Sequence, residues 1–207
     1  MSSPADSDNP AKQEITEARP ATPADAAAMC DLVDMAGEGL AVYSWSMLAK
    51  SGQSPREVGL ERARRDTGAF SWRNTTVLER DGQVAAVLIG YPLADEPEAT
   101  DYSGMPAIFV PLQQLEDLVP GTWYLNVLAT YPAFRRQGMA GRLLELAETR
   151  MRETGKRGIS LIVADSNLAA RSLYASAGYE EVARRPMVKE GWDGPGSEWV
   201  LLRKPAS

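Results

Sequence analysis

The segment that most constrains the fold of this chain is an apolar run at residues 123–130, followed by a glycine-containing turn and a long amphipathic helix. Aromatic and aliphatic residues dominate the run, which predicts a strand. Residues 138–154 predict a helix, because their apolar side chains recur every three or four positions. The resulting stripe consists of Ala140, Leu143, Leu144, Ala147 and Met151.

The turn between them has the features of an anion site. A helix that begins at such a turn presents unpaired N–H groups and the positive end of its dipole, which suits a pyrophosphate. Within residues 135–140 (Arg-Arg-Gln-Gly-Met-Ala), the glycine lets the backbone approach a phosphate, and two arginines add charge. Ala140 and Gly141 keep bulky side chains away. From these residues alone, an ordinary turn with two solvated arginines remains an alternative. The P-loop and dinucleotide fingerprints do not fit.

The rest of the chain predicts one α/β domain. Thr22 and Ser54 are typical helix N-caps, and Asp81-Gly82 between two β-prone runs predicts a hairpin. Strands alternate with helices in the C-terminal half, which implies α/β layering. We predict helices at 22–35, 41–50, 54–65 and 167–177, and strands at 15–22, 76–80, 83–89, 159–164, 179–188 and 198–203.

Two segments depart from this pattern. Residues 1–14 are polar and rich in Ser, Pro, Ala and Asp, so we predict a disordered tail before a single domain at 15–207. Residues 93–120 form an acidic insertion with four prolines and no Lys or Arg. A solvated loop is the default for such a charge run, and attraction of a cationic amine is the alternative. The insertion is ordered in part, since it contains apolar residues that need burial: Ile108, Phe109, Val110, Leu112 and Leu115.

Composition excludes several chemistries. The chain has no histidine and a single cysteine, which removes Ser-His and Cys-His catalysis and most zinc sites. A net charge of −6 argues against nucleic acid as a partner. We see no run of about 20 apolar residues and no signal-peptide pattern, so we expect no membrane partner and a cytoplasmic location. Cys30 lies in an apolar helical pattern, which predicts a buried, inert thiol.

Three segments, in order and spacing, resemble the GNAT superfamily of acyl-CoA-dependent N-acyltransferases. Residues 135–140 fit the family's pyrophosphate loop, Arg/Gln-x-x-Gly-x-Gly/Ala. Residues 125–132 (Leu-Asn-Val-Leu-Ala-Thr-Tyr-Pro) resemble its central strand, which splays from its neighbour and pairs with the pantetheine arm. Residues 167–179 resemble the segment in which an Asn touches pantetheine and a Tyr faces the thioester sulfur.

The resemblance implies the GNAT fold of the α/β (α+β) class. This is a central mixed, mostly antiparallel, twisted sheet of about six to seven strands, flanked by helices, with a splayed central strand pair. It also implies acetyl-CoA as cosubstrate and no metal. The residues expected to hold the cosubstrate are Leu128, Ala129, Thr130, Arg135, Arg136, Gln137, Gly138, Met139, Ala140, Gly141, Asn167, Arg171 and Tyr174.

Roles for the reacting groups follow from the resemblance. The backbone N–H of Leu128 would stabilise the oxyanion. Tyr174 would face the thiolate, although a pKa of roughly 10 against about 8.5 for a thiol favours hydrogen bonding over full proton donation. Asn126 stands where many relatives carry a carboxylate; an amide cannot act as a base, so it would position substrate or water. Glu38 is a candidate base, with a solvated loop acid, a water chain or a neutral acceptor as alternatives.

The acceptor is less defined. Tyr43, Trp45 and Trp123 could wall an acceptor pocket or simply pack in the core. We expect acetyl transfer to a primary amine of a small molecule, amino-acid derivative or peptide. Transfer of a different acyl group, or a non-catalytic acyl-CoA-binding or sensor module, are the alternatives. The sequence does not predict the oligomeric state, and a homodimer is one alternative.

Overall fold

The computed structural model of the protein describes residues 18–97 and 99–206. The predicted tail at 1–14 and the start of the predicted strand at 15–22 lie outside the described residues. The strands are β1 (Ala18–Pro20), β2 (Thr75–Arg80), β3 (Gln83–Pro92), β4 (Trp123–Thr130), β5 (Gly158–Ala164), β6 (Glu180–Pro186) and β7 (Glu198–Pro205). The helices are α1 (Ala26–Ala36), α2 (Leu40–Leu48), α3 (Pro55–Ala63), α4 (Val110–Glu116), α5 (Met139–Glu153) and α6 (Leu168–Ser176).

The strands form one seven-stranded sheet in the order β1-β2-β3-β4-β5-β7-β6. Every neighbouring pair is antiparallel except β4 and β5, which run parallel. That parallel pair is joined only at its start, where Trp123 lies opposite Ile159 and Tyr124 opposite Ser160. Beyond these residues the two strands separate. The predicted mixed, mostly antiparallel sheet with a splayed central pair is therefore confirmed.

Alternation along the central strands gives the sheet two apolar faces. Leu88 and its same-face neighbours pack beneath α5, whereas Val87 and Ile89 pack on the other face beneath α1 and α3. Cys30 of α1 lies in this second cluster with 1% of its surface exposed, as predicted. Because helices cover both faces, the middle of the sheet is buried on either side of the splayed strands.

Local signals placed most element ends correctly. Ser54 caps α3 and shares a capping box with Glu57, and Thr22 shares one with Asp25 ahead of α1. The predicted helix at 138–154 is α5, and the predicted hairpin is β2 and β3, with β3 extending to Pro92.

The insertion at 93–120 holds a helix that the sequence interpretation did not predict. Ala107–Phe109 form a 3-10 turn that leads into α4, and Ile108 and Leu115 are buried against β7. Lys156 anchors the start of the insertion through an ion pair with Asp95 at 2.7 Å. The part expected to be buried is therefore ordered, and it brings α4 next to β5, β6 and β7. In the described residues, no helix has the length and apolar character needed to cross a membrane.

Candidate active site

The N-terminus of α5 has an open backbone. Arg136 and Gly138 have positive φ angles of 61° and 82°, which turn the chain sharply into the helix. The N–H of Arg142 donates to the carbonyl of Gly138 at 3.1 Å, so the N–H groups from Gly138 to Gly141 lie ahead of the first helical bond. A Cβ added at Gly138 or Gly141 would meet nothing within 4 Å. The cradle therefore has room for an anion against its backbone.

The side chains of the same loop are engaged elsewhere. Arg135 donates to the carbonyl of Thr130 at 3.2 Å, and Gln137 donates to the carbonyl of Ala133 at 3.2 Å. Arg80 also donates to Gln137. The side chain of Met139 is buried in the core with 1% exposure. Of the predicted loop residues, Met139 could therefore meet a ligand only through its main chain.

A cavity of about 450 Å³ extends into the gap between β4 and β5. Tyr124, Asn126, Val127 and Leu128 line it from β4, and Ile162, Val163 and Ala164 line it from β5. Five of the predicted site residues meet there: Glu38, Asn126, Leu128, Asn167 and Tyr174.

Tyr174 and Asn167 lie on one wall, in and before α6. Tyr174 is 6% exposed and its ring packs against Tyr179 with centroids 5.5 Å apart. Burial raises the pKa of the Tyr174 hydroxyl well above its ordinary value. The group is therefore a neutral hydrogen-bond donor rather than a strong acid. Asn167 caps α6 by accepting a hydrogen bond from the N–H of Ala170 at 3.1 Å, which leaves its amide nitrogen for other partners.

Besides the loop residues 135–141, three predicted cosubstrate residues lie outside this cavity. Arg171 donates to the carbonyl of Asp165 at 3.3 Å and lies 3.7 Å from the carboxylate of Glu181. Ala129 packs in the core beneath α1. The hydroxyl oxygen of Thr130 is buried and has no hydrogen-bond partner within the described part of the chain.

Glu38 and Asn126 approach the cavity from different elements. Glu38 has a φ of 52°, and its carbonyl accepts a hydrogen bond from the Trp192 indole at 3.1 Å. Its carboxyl group is at the exposed rim, where partial desolvation raises its pKa. Asn126 occupies a β-bulge, since Val127 pairs with Ile89 and Leu125 with the next residue of β3. A bulge re-aims side chains and is common near active sites.

Two of the three aromatic residues considered for the pocket wall lie elsewhere. Trp123 precedes Tyr124 in β4, so the strand period directs it to the opposite face, where it packs against Gly90. Tyr43 packs against Gly191. Of the three, Trp45 lines the cavity, whereas Trp123 and Tyr43 follow the alternative and pack within the core clusters.

The sequence interpretation missed three further cavity residues: Tyr91, Glu116 and Tyr124. Tyr91 and Tyr124 are register partners with ring centroids 5.6 Å apart. Burial, assisted by the charge of Asp117, raises the pKa of Glu116 to about 7, while hydrogen bonds with Tyr91 and Gln113 oppose the rise. The available signal was the position of Glu116 directly after Leu115, in the part of the insertion that was expected to be buried.

Residues 40–179 match the model of the acetyltransferase (GNAT) family. A splayed sheet beside an open helix terminus is consistent with this match. Because the matched region spans more than half of the chain, the protein belongs to the GNAT acetyltransferase family, whose reaction is acetyl-CoA-dependent acetyl transfer.

Solved structures agree on the fold. A crystal structure described as an acetyltransferase is 22% identical, with a TM-score of 0.64, covering 93% of this chain and 100% of that chain. An N-acetyltransferase from Staphylococcus aureus Mu50 is 19% identical, with a TM-score of 0.59, covering 91% and 100%. Ard1 from Thermoplasma volcanium is 14% identical, with a TM-score of 0.58, covering 92% and 97%. A search of curated proteins found no match.

Proposed function

We propose that the protein transfers the acetyl group of acetyl-CoA to a primary amine of a small molecule, amino-acid derivative or peptide. The amine attacks the thioester directly, in a complex that holds both substrates. The observation that carries this proposal is the cavity in the β4–β5 gap, lined by Leu128, Asn167 and Tyr174. A site for the two reacting groups has to be a gap of this kind, because the thioester and the amine must meet away from bulk water.

The cosubstrate would be held mainly by main-chain groups. The N–H groups at the start of α5 suit a pyrophosphate, and the open space at Gly138 and Gly141 permits close approach. Arg135 and Arg136 add positive charge at this end. The pantetheine arm would run along residues 128–130 of the splayed strand toward Asn167. Acetyl-CoA supplies an activated thioester, so the protein needs to position it rather than activate it covalently.

The chemistry then requires few protein groups. The Leu128 N–H would donate to the oxyanion that forms as nitrogen attacks the carbonyl carbon. Tyr174 would donate a hydrogen bond to the departing sulfur. Its raised pKa makes complete proton transfer from tyrosine less favourable, so stabilisation of the thiolate by this bond is the role we assign. Asn126 would orient the amine or a water molecule.

Ligand-induced stabilisation tests the proposed binding of acetyl-CoA. We expect acetyl-CoA to raise the melting temperature, since a ligand at one hundred times its Kd adds about 2.7 kcal/mol. Longer acyl-CoAs and free CoA, measured in parallel, report the acyl preference. A thiol-release assay against a panel of primary amines then separates an enzyme from a binding module.

A matched pair of glycine variants locates the binding site. Gly138→Asp should abolish stabilisation by acetyl-CoA, because it places a carboxylate against the pyrophosphate. Gly82→Asp is the control, since Gly82 also has a positive φ (74°) and open surroundings but lies at the β2–β3 hairpin tip. Equal acetyl-CoA affinity in the two variants would refute the assignment of the loop.

A further inference from the structure

Glu116 contributes a further carboxyl group to the wall of the cavity. It ends α4, the helix of the acidic insertion, and lines the cavity together with Asn126 and Tyr174. Most other acids of the insertion are exposed, and Asp95 has a salt-bridge partner outside it. The fold therefore places one half-buried carboxyl group in the wall of the cavity.

The carboxyl group of Glu116 is part of a polar cluster that reaches toward Tyr174. The Tyr91 hydroxyl and the Gln113 amide lie close enough to lower its pKa, as donors to a carboxylate do. Burial chiefly raises the pKa of both Tyr91 and Tyr124, and the charge of nearby Glu116 adds to the rise. Tyr124 and Tyr174 line the same cavity. Acidic and phenolic groups thus line the cavity from the insertion to Tyr174, the residue proposed to donate a hydrogen bond to the departing sulfur.

Among the described residues, the other charge that shifts the pKa of this carboxyl group is that of Asp117. Asp117 directly follows α4, raises the pKa of Glu116 and accepts hydrogen bonds from Tyr102 and Gln113. On β6, which packs against α4, Arg184 is paired with Glu181 and Glu198. Burial is the largest cause of the raised pKa of Glu116, which is about 7. A base with a pKa near the working pH is the most effective at moving protons there.

We propose, on the basis of the proposed function, that Glu116 is the general base and that the acceptor enters as a primary aliphatic ammonium. The ammonium first passes one proton to the Glu116 carboxylate, which exposes the nitrogen lone pair. Nitrogen then bonds to the thioester carbon, and the carbon–sulfur bond breaks with its electron pair on sulfur. The second nitrogen proton neutralises the thiolate, and Glu116 releases its proton to solvent. The net products are the acetamide, CoA thiol and one proton.

Other groups in the cavity are less suited to this role. The amide of Asn126 has no basic lone pair. Glu38 is exposed at the rim, where solvent competes for its proton and screens its charge on an ammonium. Glu116 is half-buried and lines the same cavity as Asn126, Tyr91 and Tyr124. Aromatic residues of the same cavity, Phe70 and Trp199 among them, would accept the apolar body of an arylalkyl or alkyl amine.

The test is the pH dependence of kcat/KM for acetyl transfer to butylamine, phenethylamine and glycinamide, followed by thiol release. For wild type we expect a rise with pH that levels near neutrality. Glu116→Gln should be about a hundred-fold slower at pH 7, the size of a general-base contribution. Its rate should continue to rise tenfold per pH unit as solvent deprotonates the amine. Glu116→Asp should retain part of the wild-type kcat/KM, and its kcat/KM should also level near neutral pH.

Asp101→Asn is the matched control, because it removes one negative charge from an exposed site of the same insertion. It should follow the wild-type profile. Stabilisation by acetyl-CoA, measured on every variant, verifies that the fold and the cosubstrate site are intact. A Glu116→Gln profile equal to wild type overturns the base assignment alone. Absence of acetyl-CoA stabilisation and of turnover in wild type overturns the proposed function itself, and the base assignment with it.

Discussion

Replacing Glu116 by glutamine should make the protein more stable at alkaline pH even though it slows the reaction. In the folded protein the pKa of this carboxyl group is raised from an ordinary value of 4.5 to about 7, mainly by burial. Each tenfold change in proton affinity corresponds to about 1.4 kcal/mol. Above pH 8 the folded wild type therefore carries up to about 3 kcal/mol of unfavourable ionisation energy, which glutamine avoids.

The sign follows from proton linkage. Because the folded pKa is above the unfolded pKa, the folded state binds the proton more tightly. The resulting stability is fully present below pH 4.5 and is lost as pH rises through 7. Glutamine does not titrate. Relative to the variant, the wild type should therefore lose about 2.5 kcal/mol of unfolding free energy between pH 5 and pH 8.

Urea unfolding of both proteins at pH 5, 6, 7 and 8 measures this difference. Comparing the two pH dependences removes any constant effect of altered hydrogen bonds with Tyr91 and Gln113, and it cancels the titration of every other group. Asp101→Asn should run parallel to wild type, since Asp101 is exposed and ionised throughout this range. Parallel curves for wild type and Glu116→Gln would refute the claim that the Glu116 carboxyl group ionises in a desolvated position.

Three further predictions concern other parts of the molecule. Tyr174→Phe should bind acetyl-CoA like wild type but turn over at least about tenfold more slowly, because it loses one hydrogen bond to a charged group. A kcat equal to that of wild type would remove Tyr174 from the mechanism. Gly90→Ala should cost about 1–3 kcal/mol in urea unfolding, because its Cβ would lie 2.1 Å from the Trp123 ring; Gly104→Ala, which meets nothing within 4 Å, is the control. Cys30 should react with a thiol reagent only on unfolding, since it is 1% exposed and burial raises its pKa to about 11; rapid labelling of the native protein would contradict its placement.

The elements that could be predicted are those whose signals are local. The Ser54 capping box and the Asp81-Gly82 turn depend on partners within a few residues, and both hairpin and helix formed where expected. The anion cradle at Gly138 is also local, because a helix terminus exposes its own N–H groups whatever surrounds it. The splay of β4 from β5 was available only through the family resemblance, since periodicity does not reveal where two strands separate.

The environment of Glu116 illustrates what local patterns do not contain. Its neighbours Tyr91 and Tyr124 come from two strands on either side of the insertion in sequence, and only β3–β4 pairing brings them together. An acid in a proline-containing acidic segment is indistinguishable from a solvated one until that pairing is known. The two alternatives for Trp123 could not be separated from the sequence for a related reason, since a single position along a strand decides which face a side chain occupies.

This division between local and long-range determinants also separates the two halves of the reaction. Main-chain N–H groups supply most of the proposed contacts with acetyl-CoA, so sequences that share only the glycine loop can bind the same cosubstrate. Side chains from the α1–α2 turn, α3 and the insertion surround the other end of the cavity, and each segment can change without disturbing the cradle. Fold similarity at 14–22% identity therefore does not identify the amine. The acceptor of this enzyme has to be sought through the chemistry of Glu116, Tyr91 and the aromatic wall.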